Sequence, residues 1–344
     1  MIKSGILNSK QSIKLSLIEN MQPLNIEEEK AKFFFDNQYN PQFEYQKTID
    51  HNSLAKHGTV DERYTAAAQK IVQEVLEQYE SETNFLKSRG RILEKNESLK
   101  IINEYLKRNQ ISNLVRVRTS SSYTARTSLK RDKTNFILRL RLPIRYREKG
   151  IIGMLNHEIG THFYRWINEI NQPWFENKTQ YQLSKNYLLT EEGLATTNSL
   201  LPLEKPFLWS AALNYLLVIK GSQMSFSQLN LWLKQYVLDQ DRRWNMCLKI
   251  KRGVEDTSLP LVFTKNQIYL KGVMQILAWL SKHNFDPSRL YLGKITHNDV
   301  DRAATLAEHQ PVLPDFIKDR GAYSETIIKI IETNKLNHLL KKNN

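Results

Sequence analysis

Residues 151–162 read IIGMLNHEIGTH, a segment with the apolar spacing of a buried helix that holds two histidines, His157 and His162. Glu158 follows the first histidine directly. Two imidazoles can supply neutral nitrogen ligands to a zinc ion, and a glutamate beside them can take a proton from water. The stretch therefore predicts the Zn²⁺ site of a hydrolase, with both histidines as ligands and Glu158 as the catalytic base.

The spacing of the two histidines predicts an unusual backbone. They are five residues apart, one residue more than in the common helical zinc motif. In a regular α-helix, at about 100° per residue, their side chains would diverge by about 140°. Both can reach one metal ion only if the turn is widened, as in a π-bulge, and Gly160 eases such a distortion because it lacks a Cβ. We therefore expect a widened helical turn from Ile159 to His162.

A third metal ligand is expected from the sequence TEEGLA at residues 190–195. Either Glu191 or Glu192 could supply it. We favour Glu192, because the small residues that follow, beginning with Gly193, would let its helix pack closely against the first helix. Glu191 would then orient one of the histidines. The remaining histidines lack such neighbours and are expected to be structural: His51, His57, His283, His297, His309 and His338.

Two later stretches, residues 242–253 and 263–272, contain candidates for substrate contacts. A tetrahedral oxyanion needs a hydrogen-bond donor besides zinc, and the hydroxyl of Tyr269 suits this role. Arg252 and Arg243 are candidates to bind a substrate carboxylate, since a guanidinium can bond it through two N–H groups. Ordinary surface roles are the alternative for both arginines.

The size and composition are those of a globular protein. The chain has 344 residues, of which 40% are apolar and 25% charged. Its one cysteine, Cys247, excludes an intramolecular disulfide framework and fits a reducing compartment. No run of about 18 apolar residues exists, and residues 1–21 lack the continuous apolar stretch of a secretory signal. We therefore expect a cytoplasmic protein that does not enter a membrane.

The formal net charge of +14 is concentrated just before the histidine motif. Residues 111–150 carry a net charge of +9, from eleven basic and two acidic residues. A basic field beside a catalytic cleft raises the local concentration of acidic substrates, and nucleic acid is the usual alternative partner. The charge alone fits either class of partner. The basic residues are Arg116, Arg118, Arg126, Lys130, Arg131, Lys133, Arg139, Arg141, Arg145, Arg147 and Lys149.

The apolar pattern predicts an α+β fold that is mostly helical and zincin-like. Helices are expected over 61–87 and from an N-cap at Asn96, followed by strands over 114–118 and 136–142. If the strands share a sheet, Arg116, Arg118, Arg139 and Arg141 lie on one face. This face is either a solvated surface or a basic wall beside the cleft, and Arg139 and Arg141 are our candidates there for substrate binding.

After Pro143 the pattern is helical to the end of the chain. The segments with helical spacing are 147–170, 189–201, 205–220, 226–238, 241–252, 266–282, 297–309 and 323–341. We expect an irregular N-terminal segment over residues 1–60 and one catalytic domain over 61–344. Within that domain, a helical section (61–110) and the sheet (111–145) precede the catalytic helices (147–344).

Nine motifs, densest between Phe136 and Asp301, resemble the microtubule-associated tyrosine carboxypeptidases, zinc metallopeptidases that remove the C-terminal tyrosine of α-tubulin. In chain order they are HEIGTH (157–162), NQPW (171–174), TEEGLA (190–195), LWSAAL (208–213), MSF (224–226), RW (243–244), KRGVEDTS (251–258), FTKNQIYLKG (263–272) and LGKI (292–295).

The resemblance implies His157 and His162 as zinc ligands and Glu158 as the base. Bacterial relatives have Gln-Glu-Gly-Leu-Ala at the later motif, which supports Glu192 as the third ligand. With this resemblance we expect an acidic C-terminal protein tail as the partner, that of α-tubulin or microtubules, rather than nucleic acid. The resemblance also implies a cytoskeleton-associated location, or secretion into a host cell if the source is bacterial. The alternatives are a zinc endopeptidase with the same centre and a basic nucleic-acid- or microtubule-binding protein with a vestigial metal site. Glu158 disfavours the last, because a pure binder needs no proton acceptor there.

Overall fold

The computed structural model describes residues 17–132 and 135–340. It is a mostly helical α+β fold with a small sheet before the helix that carries the histidines, as predicted. Within these residues, no helix is both long enough and apolar enough to span a membrane. Residues 1–16 of the predicted N-terminal segment, Lys133 of the basic stretch and residue 341 of the last predicted helix lie outside them.

The α-helices are α1 (Leu17–Asn20), α2 (Ile26–Phe35), α3 (His51–Leu54), α4 (Thr65–Tyr79), α5 (Glu82–Lys87), α6 (Lys95–Arg108), α7 (Ile151–His157), α8 (Tyr164–Glu169), α9 (Leu188–Leu200), α10 (Trp209–Gly221), α11 (Phe226–Leu233), α12 (Gln240–Ile250), α13 (Gln267–Lys282), α14 (Val300–Leu306), α15 (Asp315–Lys318) and α16 (Arg320–Thr333).

The sheet consists of β1 (Val115–Ser120), β2 (Thr127–Asp132) and β3 (Asn135–Arg141), in the order β1-β3-β2. β1 runs parallel to β3, and β2 runs antiparallel to it. The sequence predicts β1 and β3 but not β2, because Leu129 is the one aliphatic residue in TSLKRD and gives no alternating pattern.

The register of the sheet confirms the predicted basic face. Arg118 pairs with Arg139 of the neighbouring strand. Arg116, two residues earlier in β1, pairs with Ile137. Since side chains alternate between the two faces of a strand, Arg116, Arg118, Arg139 and Arg141 share one face.

The opposite face of the sheet packs on the helices that carry the histidines. The ring of Phe136 in β3 lies 4.9 Å from the ring of Phe163 and 5.8 Å from that of Trp166, measured between centroids. Leu138 and Leu140 on the same face are fully buried. The sheet therefore fixes the depth of the helical segment around the histidines.

Helices α9 and α13 cross with their backbones in contact. A Cβ added to Gly193 would lie 2.3 Å from the carbonyl carbon of Gly272, and a Cβ on Gly272 would lie 2.3 Å from the Leu189 oxygen. The prediction that Gly193 packs against the first histidine helix is wrong. Instead α7 approaches α9 through Gly153, where a Cβ would lie 2.2 Å from the Ser199 oxygen.

Helix α2 corrects the expectation of an irregular segment over residues 1–60. Three glutamates in its first turn suit the positive end of the helix dipole. The ring of Phe33 packs 5.2 Å from Phe226 and 5.4 Å from Trp244. The apolar pattern did not predict this helix, because most of its large apolar side chains are consecutive phenylalanines, which show no helical period.

Several helices end earlier or later than predicted. The helix expected over 61–87 is divided into α4 and α5, because Glu80 has a φ of 65° and Ser81 begins the next helix by accepting a hydrogen bond from the Asn84 N–H. The segments predicted over 297–309 and 323–341 form the shorter helices α14 and α16.

The predicted N-cap of α6 is also wrong. Asn96 lies inside the helix, and Glu94 is the cap residue. The Glu94 and Glu97 side chains form a capping box, each accepting a hydrogen bond from a backbone N–H at the other position.

Gly272→Ala should destabilise the protein, because the added methyl would overlap the α9 backbone at Leu189 and Gly193. Overpacking of this kind costs about 1–3 kcal/mol of unfolding free energy. Denaturant unfolding followed by circular dichroism measures it. In the control Gly321→Ala, the nearest heavy atom to the added Cβ is 3.5 Å away, so stability should be kept or slightly raised. Equal stabilities for the two variants would contradict the close crossing.

Candidate metal and catalytic site

The helix between the two histidines is widened, as the spacing predicts. Residues Glu158–Phe163 form a π-helical turn between α7 and α8. The Thr161 hydroxyl donates a hydrogen bond of 3.0 Å from this turn to the Asn156 carbonyl in α7. Gly160 leaves space for a neighbouring ring, because a Cβ there would lie 2.4 Å from the ring of Phe316.

The widened turn brings both histidines to Glu192. Its Oε2 lies 3.6 Å from His157 Nε2 and 3.9 Å from His162 Nε2. The three candidate ligand atoms all lie within 4.8 Å of one another. Zinc bonds of about 2.0–2.2 Å in a tetrahedron put ligand atoms about 3.3–3.6 Å apart. Two imidazole nitrogens and a carboxylate oxygen at these separations fit a zinc ion after small shifts.

Glu192 has the charge state that a metal ligand needs. Its side chain is almost fully buried. Burial raises the pKa of this carboxyl, but the nearby His157 and His162 outweigh burial and lower the pKa to about 2. Glu192 is therefore ionised at neutral pH.

Glu191 lies at the other nitrogen of His162, as the sequence argument expects if Glu192 faces the metal. Its Oε1 lies 2.8 Å from His162 Nδ1. Burial raises the pKa of Glu191, but Lys294, Arg165 and His162 hold it well below its usual range. An ionised carboxylate can only accept a hydrogen bond, so Nδ1 of His162 carries the proton and Nε2 is free to bind a metal.

Tyr269 comes to the same site from α13. The negative charge of Glu192, burial and the charge of Glu158 together raise the pKa of Tyr269 well above its usual value. Its hydroxyl therefore keeps its proton and can donate a hydrogen bond. The charge of Arg252, a predicted carboxylate binder, partly opposes this rise in the pKa of Tyr269.

Lys265 is a further cation near the site, and it was not predicted from the sequence as a functional residue. Burial lowers the pKa of its ammonium, and the opposite charges of Glu192 and Glu158 partly restore it. Lys265 lies four residues before Tyr269, about one helical turn, which was the available signal. His57, expected to be structural, is close enough for the charges of Lys265 and Glu192 to act on it.

The charges of several arginines act on Lys249. Desolvation by the surrounding protein and the charges of Arg252, Arg242, Arg141 and Arg126 together lower the pKa of Lys249 to about 8. The Lys249 side chain is exposed. Arg141 belongs to the basic face of the sheet, so the charge of that face acts on Lys249.

The other predicted substrate arginines have different surroundings. Arg139 stacks over the ring of Tyr123 at 5.2 Å, and its buried Nε has no hydrogen-bond partner among the residues that the structure describes. The prediction for Arg243 is wrong. This arginine is buried and donates to Asn230 Oδ1 and to the carbonyls of Val237 and Leu238, so it holds the loop between α11 and α12.

No protein-family model matches the chain, but curated proteins do. Rat microtubule-associated tyrosine carboxypeptidase 1 is 36% identical over 324 residues, which covers 92% of this chain and 68% of the rat protein. The human protein of that name is 35% identical over 322 residues, again 92% and 68%. Mouse MATCAP2 is 36% identical over 336 residues, covering 96% of this chain and 64% of the mouse protein.

This chain spans about two thirds of the length of these relatives. The matched region takes in nearly all of the chain, including the π-helical turn, the two adjacent glutamates and the Tyr269 helix. The chain belongs to the microtubule-associated tyrosine carboxypeptidase family.

Proposed function

We propose that this chain is a zinc-dependent carboxypeptidase that removes a C-terminal tyrosine from a protein with an acidic tail. The observation that carries the proposal is the convergence of His157, His162 and Glu192, with Glu158 next to the first histidine. The names of the rat and human relatives support both the activity and a microtubule connection. The proposed substrate is therefore α-tubulin or a similar tail, and the proposed location is cytoplasmic, on the cytoskeleton.

His157, His162 and Glu192 would hold the metal. A zinc ion there would act as a Lewis acid toward the scissile carbonyl and lower the pKa of water. Two neutral imidazoles and one carboxylate leave a fourth position open, as catalytic zinc sites require. Glu191 fixes the tautomer of His162 that such a site needs.

Glu158 is the proposed general base. It follows His157 at the start of the π-helical turn, and its side chain is partly exposed. It would accept a proton from the attacking water and pass that proton to the nitrogen of the leaving amino acid. The atoms then balance: water adds across the C–N bond, one of its protons reaches the leaving nitrogen through Glu158 and the other leaves the new carboxyl group for the same amine, giving a carboxylate and a protonated amine.

Tyr269, Arg252 and Lys265 are the proposed substrate contacts. The protonated hydroxyl of Tyr269 would donate to the oxyanion that develops on the carbonyl oxygen. Arg252 and Lys265 are two cations near Glu158 and Tyr269, and a free C-terminal carboxylate is their natural partner.

The basic surface around Lys249 is the proposed contact for the acidic tail. Its arginines, including Arg141 of the sheet, act together on Lys249 and would put several positive charges beside the cleft. Their combined field would attract and orient a chain of carboxylates upstream of the cleaved bond.

Loss of either histidine should abolish tight zinc binding. We expect one zinc ion per chain in the wild type and none in His157→Ala or His162→Ala, measured by elemental analysis. Glu192→Ala should weaken zinc binding more than Glu191→Ala, because only Glu192 offers an oxygen to both Nε2 atoms. The opposite ranking would exchange the roles of the two glutamates, and a wild type that takes up no zinc would refute the metal site.

Glu158→Gln should keep the fold and zinc content but lose most peptidase activity, because an amide cannot accept the proton. General acid–base groups contribute about 10²–10⁴-fold. Turnover of a peptide ending in tyrosine measures the loss. Glu325→Gln, an exposed change on α16, is the control and should cleave like wild type. Near-normal cleavage by the Glu158 variant would assign that residue a structural role.

A free C-terminal carboxylate and an acidic tail should both raise cleavage. The assay compares an acidic peptide ending in tyrosine with its amidated form and with a neutral-tail peptide. The tail preference should weaken with added salt, because exposed charges are screened over about 8 Å at physiological ionic strength.

Lys249→Gln should reduce the preference for an acidic tail, whereas Lys329→Gln, exposed on α16, should not. Equal cleavage of the amidated peptide would favour an endopeptidase, and indifference to tail charge would refute the acidic substrate.

A further inference from the structure

A buried ionic network lies at the Nδ1 side of His162. Oε1 of Glu191 accepts hydrogen bonds from His162 Nδ1 at 2.8 Å and from Lys294 Nζ at 2.7 Å. Oε2 of Glu191 is paired with Arg165 Nη1. The Arg165 side chain is completely buried, and the side chains of Glu191 and Lys294 are only 3% and 12% exposed. Glu191 thus shares one oxygen between a histidine and a lysine.

Arg165 cannot move independently of the chain around it. Its Nε donates to the carbonyls of Leu290 at 2.9 Å and Gly293 at 3.0 Å. Its Nη2 donates to the carbonyl of Ile295 at 2.6 Å. The guanidinium therefore ties α8, which carries Arg165, to the segment 290–295.

The same segment holds Lys294 by its backbone. The Lys294 N–H donates to Glu169 Oε2 at 2.7 Å, and its carbonyl accepts a hydrogen bond of 2.7 Å from Lys178 Nζ. Lys178 and Glu169 also form a buried ion pair. The Lys294 ammonium lies 4.8 Å above the ring of Trp166. The backbone and the side chain of Lys294 are therefore both held in place, so its ammonium has a fixed position relative to the Glu191 carboxylate.

Gly293 explains how this segment comes so close to a second carboxylate. A Cβ at this position would lie 2.3 Å from Glu169 Oε2 and 3.3 Å from the Glu169 Cα. A larger residue would push the segment away from α8. The sequence LGKI, which the catalytic mechanism above does not use, thus serves to deliver a lysine behind the histidine.

We propose that Lys294 is a positioning residue which, with Arg165, fixes Glu191 so that His162 presents Nε2 toward Glu192. This inference rests on the proposed zinc site. A carboxylate held by one donor can turn about its last bond, whereas Glu191 is held at both oxygens by cations whose own positions are fixed. Lys294 is the decisive partner because it bonds the same oxygen as His162. Arg165 has three further hydrogen bonds to carbonyls and so has a larger part in the fold.

A purely structural network is the alternative, and Lys178 separates the two ideas. Lys178 is a buried lysine of the same network, bonded to Glu169 and to the Lys294 carbonyl. It makes no hydrogen bond to Glu191 in the part of the chain that the structure describes. Lys178→Met therefore removes a comparable buried ammonium without touching the oxygen that holds His162.

Zinc affinity by competition with a chromophoric chelator is the main readout, on the whole chain and alongside thermal unfolding of the metal-free protein. Lys294→Met should lower zinc affinity by about 10–100-fold, the usual effect of losing a hydrogen-bond partner behind a metal ligand. Lys178→Met should lower stability but keep the affinity of the wild type. Long-range ¹H–¹⁵N spectra of the metal-free protein should show one His162 tautomer in the wild type and a mixture in Lys294→Met.

Glu191→Gln is the second variant if Lys294→Met does not fold, since it removes the charge without changing the volume, and it should also weaken zinc binding. Wild-type affinity and a single tautomer in Lys294→Met would overturn the inference. So would equal losses of affinity in the two lysine variants. A wild type that binds no zinc would instead overturn the proposed function, and this inference with it.

Discussion

Two imidazoles five residues apart can face one point only if the helix between them takes up an extra residue. The turn Glu158–Phe163 does so, and the surrounding structure stabilises it. The Thr161 hydroxyl donates to the Asn156 carbonyl in the last turn of α7, and Gly160 makes room for the ring of Phe316. The apolar face of the sheet meets the end of the turn at Phe163. Widened turns of this kind are frequent at functional sites.

Helix α9 completes the site by using two consecutive residues for two different tasks. Adjacent side chains on a helix point about 100° apart. Glu192 can therefore reach the Nε2 atoms while Glu191 reaches the Nδ1 atom of His162. The depth of α9 is set by its glycine contact with α13, and α13 in turn brings Tyr269 to Glu192. One close helix crossing thus couples the proposed ligand and the proposed oxyanion donor.

The local features of the site could be predicted from sequence because they depend on spacing along one segment. The interval between His157 and His162 was enough to predict the widened turn. Contacts between distant segments were not predictable in this way. Nothing in LGKI indicates that Lys294 bonds Glu191, and nothing near Arg243 indicates that carbonyls of its own loop occupy its guanidinium.

For the same reason, secondary structure could not be predicted in segments that lack a regular apolar period. Strand β2 has one aliphatic residue and is fixed by pairing with β3. Helix α2 ends in consecutive phenylalanines and is fixed by packing on α12 through Trp244. In both segments, tertiary contacts decide a structure that the local pattern leaves open.

Two sets of cations in this protein have different physical roles. Arg165, Lys178 and Lys294 lie largely inside the protein and meet carboxylates and carbonyls, which offsets the loss of hydration. Lys249, Arg252, Arg126 and Arg141 form no ion pair with a carboxylate within the described residues, and the charges of the three arginines act on Lys249. Like charges gathered in this way repel each other and stabilise nothing by themselves. An anionic partner would relieve that repulsion, which is the physical reason for proposing an acidic substrate.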